Sequence, residues 1–83
     1  MAEAAKNPKD GPVRQSVTSS MILSVGYDSA SGVLEIEFRR GPRVYRYFDV
    51  PEFLYRGLMA ARSKGRFFTT RIADRYRTEC VNG

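Results

Sequence analysis

Apolar and polar side chains alternate along three short stretches of the first half of the chain: MILSVGYD, VLEIEFR and VYRYFDV, at residues 21–28, 33–39 and 44–50. A period of two residues is typical of half-buried β-strands. The stretches DSASG and RRGPR separate them and have turn-forming compositions. The pattern therefore predicts a three-stranded antiparallel β-meander. In its first strand, the inward side chains are expected to be Met21, Leu23, Val25 and Tyr27.

The register between the second and third strands follows from charge. If four residues form the loop, Glu35 lies opposite Arg46, outside the core and on the solvent face of the sheet. If three residues form the loop, Arg46 lies opposite Ile36 on the apolar face, where an unpaired arginine is costly. We therefore expect the first register, which turns Val44 and Phe48 outward.

The same register decides between two roles for Tyr45 and Tyr47. It directs both rings towards the core, with their hydroxyls at the rim, and we favour this packing role. The alternative is a platform on which nucleic-acid bases stack, because aromatic rings spaced along a strand can serve that purpose.

Two helices are predicted in the second half. The first covers residues 49–62, with Asp49 as its N-terminal cap and Pro51 in its first turn. Its core stripe is expected to consist of Leu54, Leu58 and Ala61. The second helix is expected from about Lys64 to Tyr76, with Ser63 as its cap. Its buried stripe is expected to consist of Phe68, Ile72 and Tyr76.

These elements predict an α+β fold of order β-β-β-α-α, with both helices packed on one face of the sheet. Residues 1–17 have almost no large apolar side chains and are expected to form a flexible tail. The domain is then expected at residues 18–79, followed by a C-terminal tail at 80–83. The chain shows neither a secretory signal nor an apolar run of membrane-spanning length, so we expect a cytoplasmic protein without a membrane partner.

Composition argues against catalysis. The chain has no histidine and one cysteine, Cys80, which removes the commonest general base, most metal-site chemistry and any internal disulfide. Glu35 and Glu37 are the only close acidic pair, and we expect both on the solvent face. We therefore expect no enzymatic activity, no cofactor and no metal.

Positive charge is concentrated in the second half. The chain has 14 Lys and Arg against 9 Asp and Glu, and residues 53–78 hold seven of these cations with a single acid, Asp74. On a helix, Lys64, Arg71 and Arg75 would share one stripe. The candidate nucleic-acid-binding residues are Lys64, Arg66, Phe67, Arg71 and Arg75. The alternative is a solvated helix face on which Asp74 pairs with a neighbouring arginine and Phe67 packs against the first helix.

In order and spacing these elements resemble the KTSC domain, a small domain found at the C-terminus of some lysyl-tRNA synthetases and as stand-alone bacterial proteins. The resemblance covers residues 19–77 and is carried by Tyr45-Arg46-Tyr47 before Val50-Pro51, and by Ser63-Lys64-Gly65 before two aromatic residues. It implies mainly structural roles for Tyr45, Tyr47, Pro51, Ser63 and Gly65. The turn RRGPR holds one residue more, and more charge, than is usual in the family.

The resemblance implies no catalytic residues, and RNA binding is the activity suggested for the family. Together with the charge pattern, it leads us to expect a monomeric RNA-binding module for tRNA or another structured RNA. The alternative is a protein–protein adaptor that uses a sheet edge or an apolar patch at Val44 and Phe48. A DNA-binding role has less support, because no helix-turn-helix pattern is evident.

Overall fold

The computed structural model describes residues 11–41 and 43–81. Its elements in chain order are β1 (Gln15–Ser16), β2 (Ile22–Asp28), β3 (Val33–Phe38), β4 (Arg43–Tyr47), α1 (Glu52–Ala60), α2 (Lys64–Arg71) and β5 (Thr78–Cys80). The strands form one antiparallel sheet of order β1-β2-β3-β4-β5. The α+β class is confirmed. The three predicted strands are present as β2, β3 and β4, and the described residues form two more strands, β1 and β5, at the edges of the sheet.

The two additional strands lie in or beside segments that were expected to be tails. Gln15 pairs with Val25 at one edge of the sheet, and Cys80 pairs with Tyr45 at the other. Both strands are short and exposed, so they carry no alternating apolar pattern. Their pairing depends on backbone hydrogen bonds along the sheet edges, which any sequence without proline can form.

The predicted register of β3 and β4 is confirmed: Glu35 lies opposite Arg46, and Ile36 lies opposite Tyr45. The predicted alternation in β2 is wrong at its start. A bulge falls between Ile22 and Ser24, which pair with consecutive residues of β3. The bulge changes the alternation at this point, and Ile22 is fully buried.

The loop before α1 differs from the sequence prediction. Pro51 is the N-cap, no side chain caps the helix, and Asp49 instead adopts a positive φ of 59°. Aspartate tolerates this left-handed conformation better than most residues. The backbone N–H of Val50 donates to the Gly32 carbonyl, which ties this loop to the turn between β2 and β3. The conformation of the loop is therefore fixed by a contact with a distant segment and not by a cap on the helix.

Ser63 caps α2 as predicted, since its hydroxyl accepts a hydrogen bond from the Arg66 backbone N–H at 3.2 Å. The predicted C-terminal boundary is wrong. The helix ends at Arg71, and Asp74 takes a positive φ of 64° that turns the chain towards β5. Arg75 and Tyr76 therefore lie beyond the helix on which they were expected.

Replacing Ser63 by alanine is expected to lower the free energy of unfolding by about 1 kcal/mol, because the Arg66 N–H loses its side-chain acceptor. In a domain of this size, such a loss lowers the Tm by about 4–8 °C. Thermal unfolding followed by circular dichroism measures the change. Ser29→Ala is the control, since Ser29 is exposed and its hydroxyl makes no hydrogen bond with a described residue. Equal Tm values for the two variants would contradict the capping role.

The hydrophobic core lies between the two helices and one face of the sheet, here called the inner face. Its buried members are Ile22, Val25, Leu34, Ile36, Tyr47, Val50, Leu54, Leu58 and Ile72. The opposite face of the sheet is called the outer face. No helix in the described ranges is long and apolar enough to cross a membrane.

Candidate nucleic-acid interface

The structure separates the cations that the sequence placed on one helical stripe. The Lys64 ammonium is part-buried and donates to the Ala61 carbonyl at 2.9 Å, behind the end of α1. The Arg75 guanidinium donates to the Thr70 carbonyl at 3.2 Å, at the end of α2. Arg66 and Arg71 are exposed on the helix itself. The basic surface is therefore a patch around α2 and its two ends instead of a continuous row.

Phe67 occupies a position between the helices. A Cβ atom added at Gly57 of α1 would lie 2.6 Å from the tip of the Phe67 ring, so the ring fills the space that this glycine leaves. The Arg71 guanidinium carbon lies over the same ring, 5.6 Å from its centre. Phe67 therefore packs against α1, as the alternative interpretation of the sequence proposed.

A groove opens at the end of the inner face, beside the turn between β3 and β4. Leu34 and Ile36 are completely buried beneath the helices, whereas Phe38 and Tyr45, farther along the same face, are half-buried. The groove has a volume of about 860 Å³. It is lined by Ser20, Met21, Phe38, Arg39, Arg40, Arg43, Tyr45, Tyr47 and Phe68, and is called the aromatic groove below.

Edge-to-face contacts hold the four rings of the aromatic groove in place. Phe38 contacts Tyr45 at a centroid distance of 5.9 Å and Phe68 at 5.2 Å. Phe68 also contacts Tyr47 at 5.5 Å. Such contacts are a favourable geometry for aromatic pairs and restrict ring rotation. The aromatic wall is therefore formed before any ligand arrives.

Tyr47 contributes a buried polar group to this wall. The residue is 5% exposed, and its hydroxyl makes no hydrogen bond with any described residue. Burial raises the pKa of the Tyr47 phenol above its ordinary value of 10.0, and Tyr45 and Asp74 raise it further. The phenol is therefore neutral at physiological pH and retains its O–H as a donor.

Three arginines in or directly beside the β3–β4 turn line the groove. The Arg39 side chain donates to the Ser19 carbonyl at 2.7 Å, which anchors the turn. Arg40 and Arg43 are exposed and form neither hydrogen bonds nor ion pairs through their side chains with described residues. Two guanidinium groups thus remain available beside the aromatic wall. Within the described residues, no cluster of His, Cys, Asp or Glu could hold a metal ion.

The sequence pattern did not predict Arg39, Arg40 and Arg43 as site residues. The available signal was the accumulation of three arginines around the turn, next to the inward-facing Phe38 and Tyr45. These arginines have no distinctive spacing that would mark a site. The groove also needs Met21 and Phe68, which are distant in the sequence and join it only when the chain folds.

The outer face is covered, contrary to the expectation that Glu35 faces solvent. Glu35 is 2% exposed and forms ion pairs with Arg46, at 2.8 Å, and with Arg14 of the N-terminal segment. Arg14 also donates to the Ser24 hydroxyl at 2.9 Å, which in turn donates to Glu37 at 2.9 Å. Residues 11–14 therefore cross the outer face and complete a charged network on it.

The predicted apolar patch on this face is largely absent. Val44 is only 6% exposed. Phe48 is half-buried, with the Arg77 guanidinium carbon 4.3 Å from the centre of its ring. These two residues therefore offer little apolar surface for a protein partner.

Comparisons with known proteins agree with this architecture. The crystal structure of a KTSC domain protein from Yersinia pestis is similar, with a TM-score of 0.80 and 43% sequence identity, and the match covers 84% of this chain and 97% of that chain. A protein of Tsukamurella paurometabola is 40% identical over 63 residues, which are 76% of this chain and 92% of the relative. An uncharacterized protein of Stutzerimonas stutzeri is 42% identical over 55 residues, which are 66% of this chain and 76% of the relative. The sequence model of the KTSC domain family matches residues 18–76, so this chain belongs to the KTSC domain family.

Proposed function

We propose that this protein is a small, non-catalytic RNA-binding module whose ligand is tRNA or another structured RNA. The observation that carries the proposal is the position of two exposed arginines, Arg40 and Arg43, beside a pre-formed aromatic wall. Arginine binds phosphate oxygens in a bidentate manner, and aromatic rings contact unpaired bases. The combination matches RNA with unpaired nucleotides better than it matches a uniform duplex.

The patch around α2 extends this interface in the proposal. Lys64, Arg66, Arg71 and Arg75 supply contacts to the phosphate backbone, and the net charge of +5 favours association with a polyanion. Among these side chains, that of Arg66 is exposed and makes neither a hydrogen bond nor a ring contact with a described residue, so it is the clearest phosphate ligand. Phe67 supports the position of Arg71 through its ring.

Reversing the charge of Arg66 is expected to weaken RNA binding about tenfold at low salt, and equally for RNAs of different sequence, because a phosphate contact carries no sequence information. The slope of log affinity against log salt should fall by about 0.7 to 0.9 for the lost phosphate. Fluorescence anisotropy with a labelled RNA hairpin at several salt concentrations measures both quantities.

Arg56→Glu is the matched control for Arg66→Glu. Both residues are exposed on helices, and both variants change the net charge equally, but Arg56 lies on α1 and pairs with Glu52. If the two variants weaken binding equally, the interface around α2 is wrong and only overall charge acts. Hairpin binding by the wild-type protein that does not respond to salt would contradict the phosphate contacts. No hairpin binding at low salt would contradict RNA as the partner and would favour the protein–protein adaptor.

A further inference from the structure

The aromatic groove has the dimensions of a site for one small group. Its volume of about 860 Å³ lies within the range of about 300–1,000 Å³ found for small-molecule pockets. Its rings are held by mutual edge-to-face contacts, and Met21 packs beside Gly65 of α2 at the groove margin. The wall is therefore apolar, and the fold fixes the positions of its rings.

The Tyr47 residue brings a hydroxyl to the wall of the groove. Buried polar groups in folded proteins nearly always have a hydrogen-bond partner. This hydroxyl belongs to a residue that is 95% buried and lines the groove, yet it makes no hydrogen bond with a described residue. The hydroxyl is therefore open to a hydrogen bond with a polar group of a ligand in the groove.

Charge around the groove specifies the other part of the ligand. Arg40 and Arg43 lie at the rim, and the structure places no carboxylate among the lining residues. Arg43 faces the same side of the sheet as Phe38, its cross-strand neighbour, so cation and ring are adjacent. A ligand that matches all three features combines a flat ring, polar atoms on the edge of that ring, and an attached anion.

We infer that the aromatic groove binds one unpaired nucleotide of the RNA. The base lies against Tyr45 and Phe38, an edge atom of the base bonds to the Tyr47 hydroxyl, and the phosphate binds Arg40 and Arg43. This inference rests on the proposed function and identifies the part of the RNA that is recognised. Phosphate contacts around α2 supply affinity, whereas the groove selects RNA that offers an unpaired base.

The inference is tested with the full chain, labelled for amide and aromatic-ring chemical shifts, and three probes: adenosine 5′-monophosphate, adenosine and inorganic phosphate. We expect the nucleotide to change the chemical shifts of residues 38–47 and of the Phe68 ring. It should also bind at least about tenfold more tightly than adenosine or phosphate alone, since it makes both the ring contacts and the anion contacts. Shifts confined to α2, or spread over all arginines, would overturn the inference.

Two variants separate the contributions of the rim and the wall. Arg40→Gln with Arg43→Gln should weaken binding of the nucleotide at least about tenfold and that of adenosine less than about twofold. Arg56→Gln, on the exposed side of α1, should change neither. Tyr47→Phe should keep the stability of the protein, because no described residue loses a hydrogen-bond partner, and yet weaken nucleotide binding. A destabilised Tyr47→Phe variant with unchanged binding would contradict the assigned role.

An RNA hairpin with an unpaired loop, compared with a blunt duplex of the same stem, separates failure of the inference from failure of the proposed function. If both RNAs bind equally, and the groove variants bind as the wild type does, RNA binding stands and the groove inference is wrong. If neither RNA binds while the nucleotide still binds in the groove, the RNA function is wrong and the site serves a free nucleotide. Tighter binding of a phosphotyrosine peptide than of the nucleotide would overturn the inference in favour of a protein ligand.

Discussion

Replacing Glu35 by alanine is expected to lower the free energy of unfolding by about 3 kcal/mol and the Tm by at least about 10 °C. Glu35 is 2% exposed, and its carboxylate is the acceptor for both Arg14 and Arg46. Its removal takes from the Arg14 and Arg46 guanidinium groups the buried carboxylate that both of them contact. The expected cost lies at the low end for a broken buried pair, because the arginine side chains are 29% and 16% exposed.

Urea denaturation followed by circular dichroism measures this loss. Glu52→Ala is the control, because Glu52 also forms a carboxylate–arginine pair but on an exposed helix surface, where the side chains are 47% and 75% exposed. Exposed pairs of this kind contribute about 0.3–0.5 kcal/mol. Similar losses for the two variants would show that solvent screens Glu35 as it screens Glu52, and the structural role assigned to the network would be wrong.

Gly26→Val is expected to destabilise the protein by about 2–3 kcal/mol, although valine normally favours a strand over glycine. A Cβ atom at Gly26 would lie 2.5 Å from the Val13 carbonyl oxygen, and the neighbouring atom is backbone that cannot rotate away. The valine would therefore displace residues 11–14 from the outer face. Arg14 would then lose Glu35 and Ser24, while the core on the inner face would remain in place.

Two further measurements test this explanation. The combination of Gly26→Val and Glu35→Ala should destabilise less than the sum of the single variants, by about 1 kcal/mol, since both disrupt the same contacts. In a chain that lacks residues 1–14, Gly26→Val should be neutral or slightly stabilising, because the obstacle is gone and strand propensity remains. Additive losses of stability, or a large loss in the shortened chain, would show that the clash with Val13 is not the cause of the destabilisation.

The outer-face network and the aromatic groove are on opposite sides of one sheet. Glu35 and Arg46 alternate along β3 and β4 with the inward-facing Ile36 and Tyr45. A stable outer face therefore holds the strands from which Phe38 and Tyr45 project. The Glu35→Ala and Gly26→Val variants should thus be examined for nucleotide binding only where they remain folded.

The sequence by itself determined the features that depend on local pattern. Alternation in VLEIEFR and VYRYFDV predicted two strands, and the need to pair Glu35 with Arg46 selected the register that the structure has. The cap at Ser63 was also predictable, because a hydroxyl before a helix bonds within three residues of itself. Each of these features involves neighbours in sequence or a single hairpin.

Tertiary structure alone decided the features that depend on distant segments. Whether Glu35 faces water or an ion pair depends on Arg14, which lies 21 residues earlier in the chain. The edge strand Thr78–Cys80 forms because α2 ends at Arg71 and the positive φ of Asp74 turns the chain back to β4. Backbone pairing of this kind leaves no side-chain pattern. The aromatic groove likewise exists because the helices cover Tyr47 and leave Phe38 half-buried. Which rings line the groove therefore depends on how much of the inner face the helices cover.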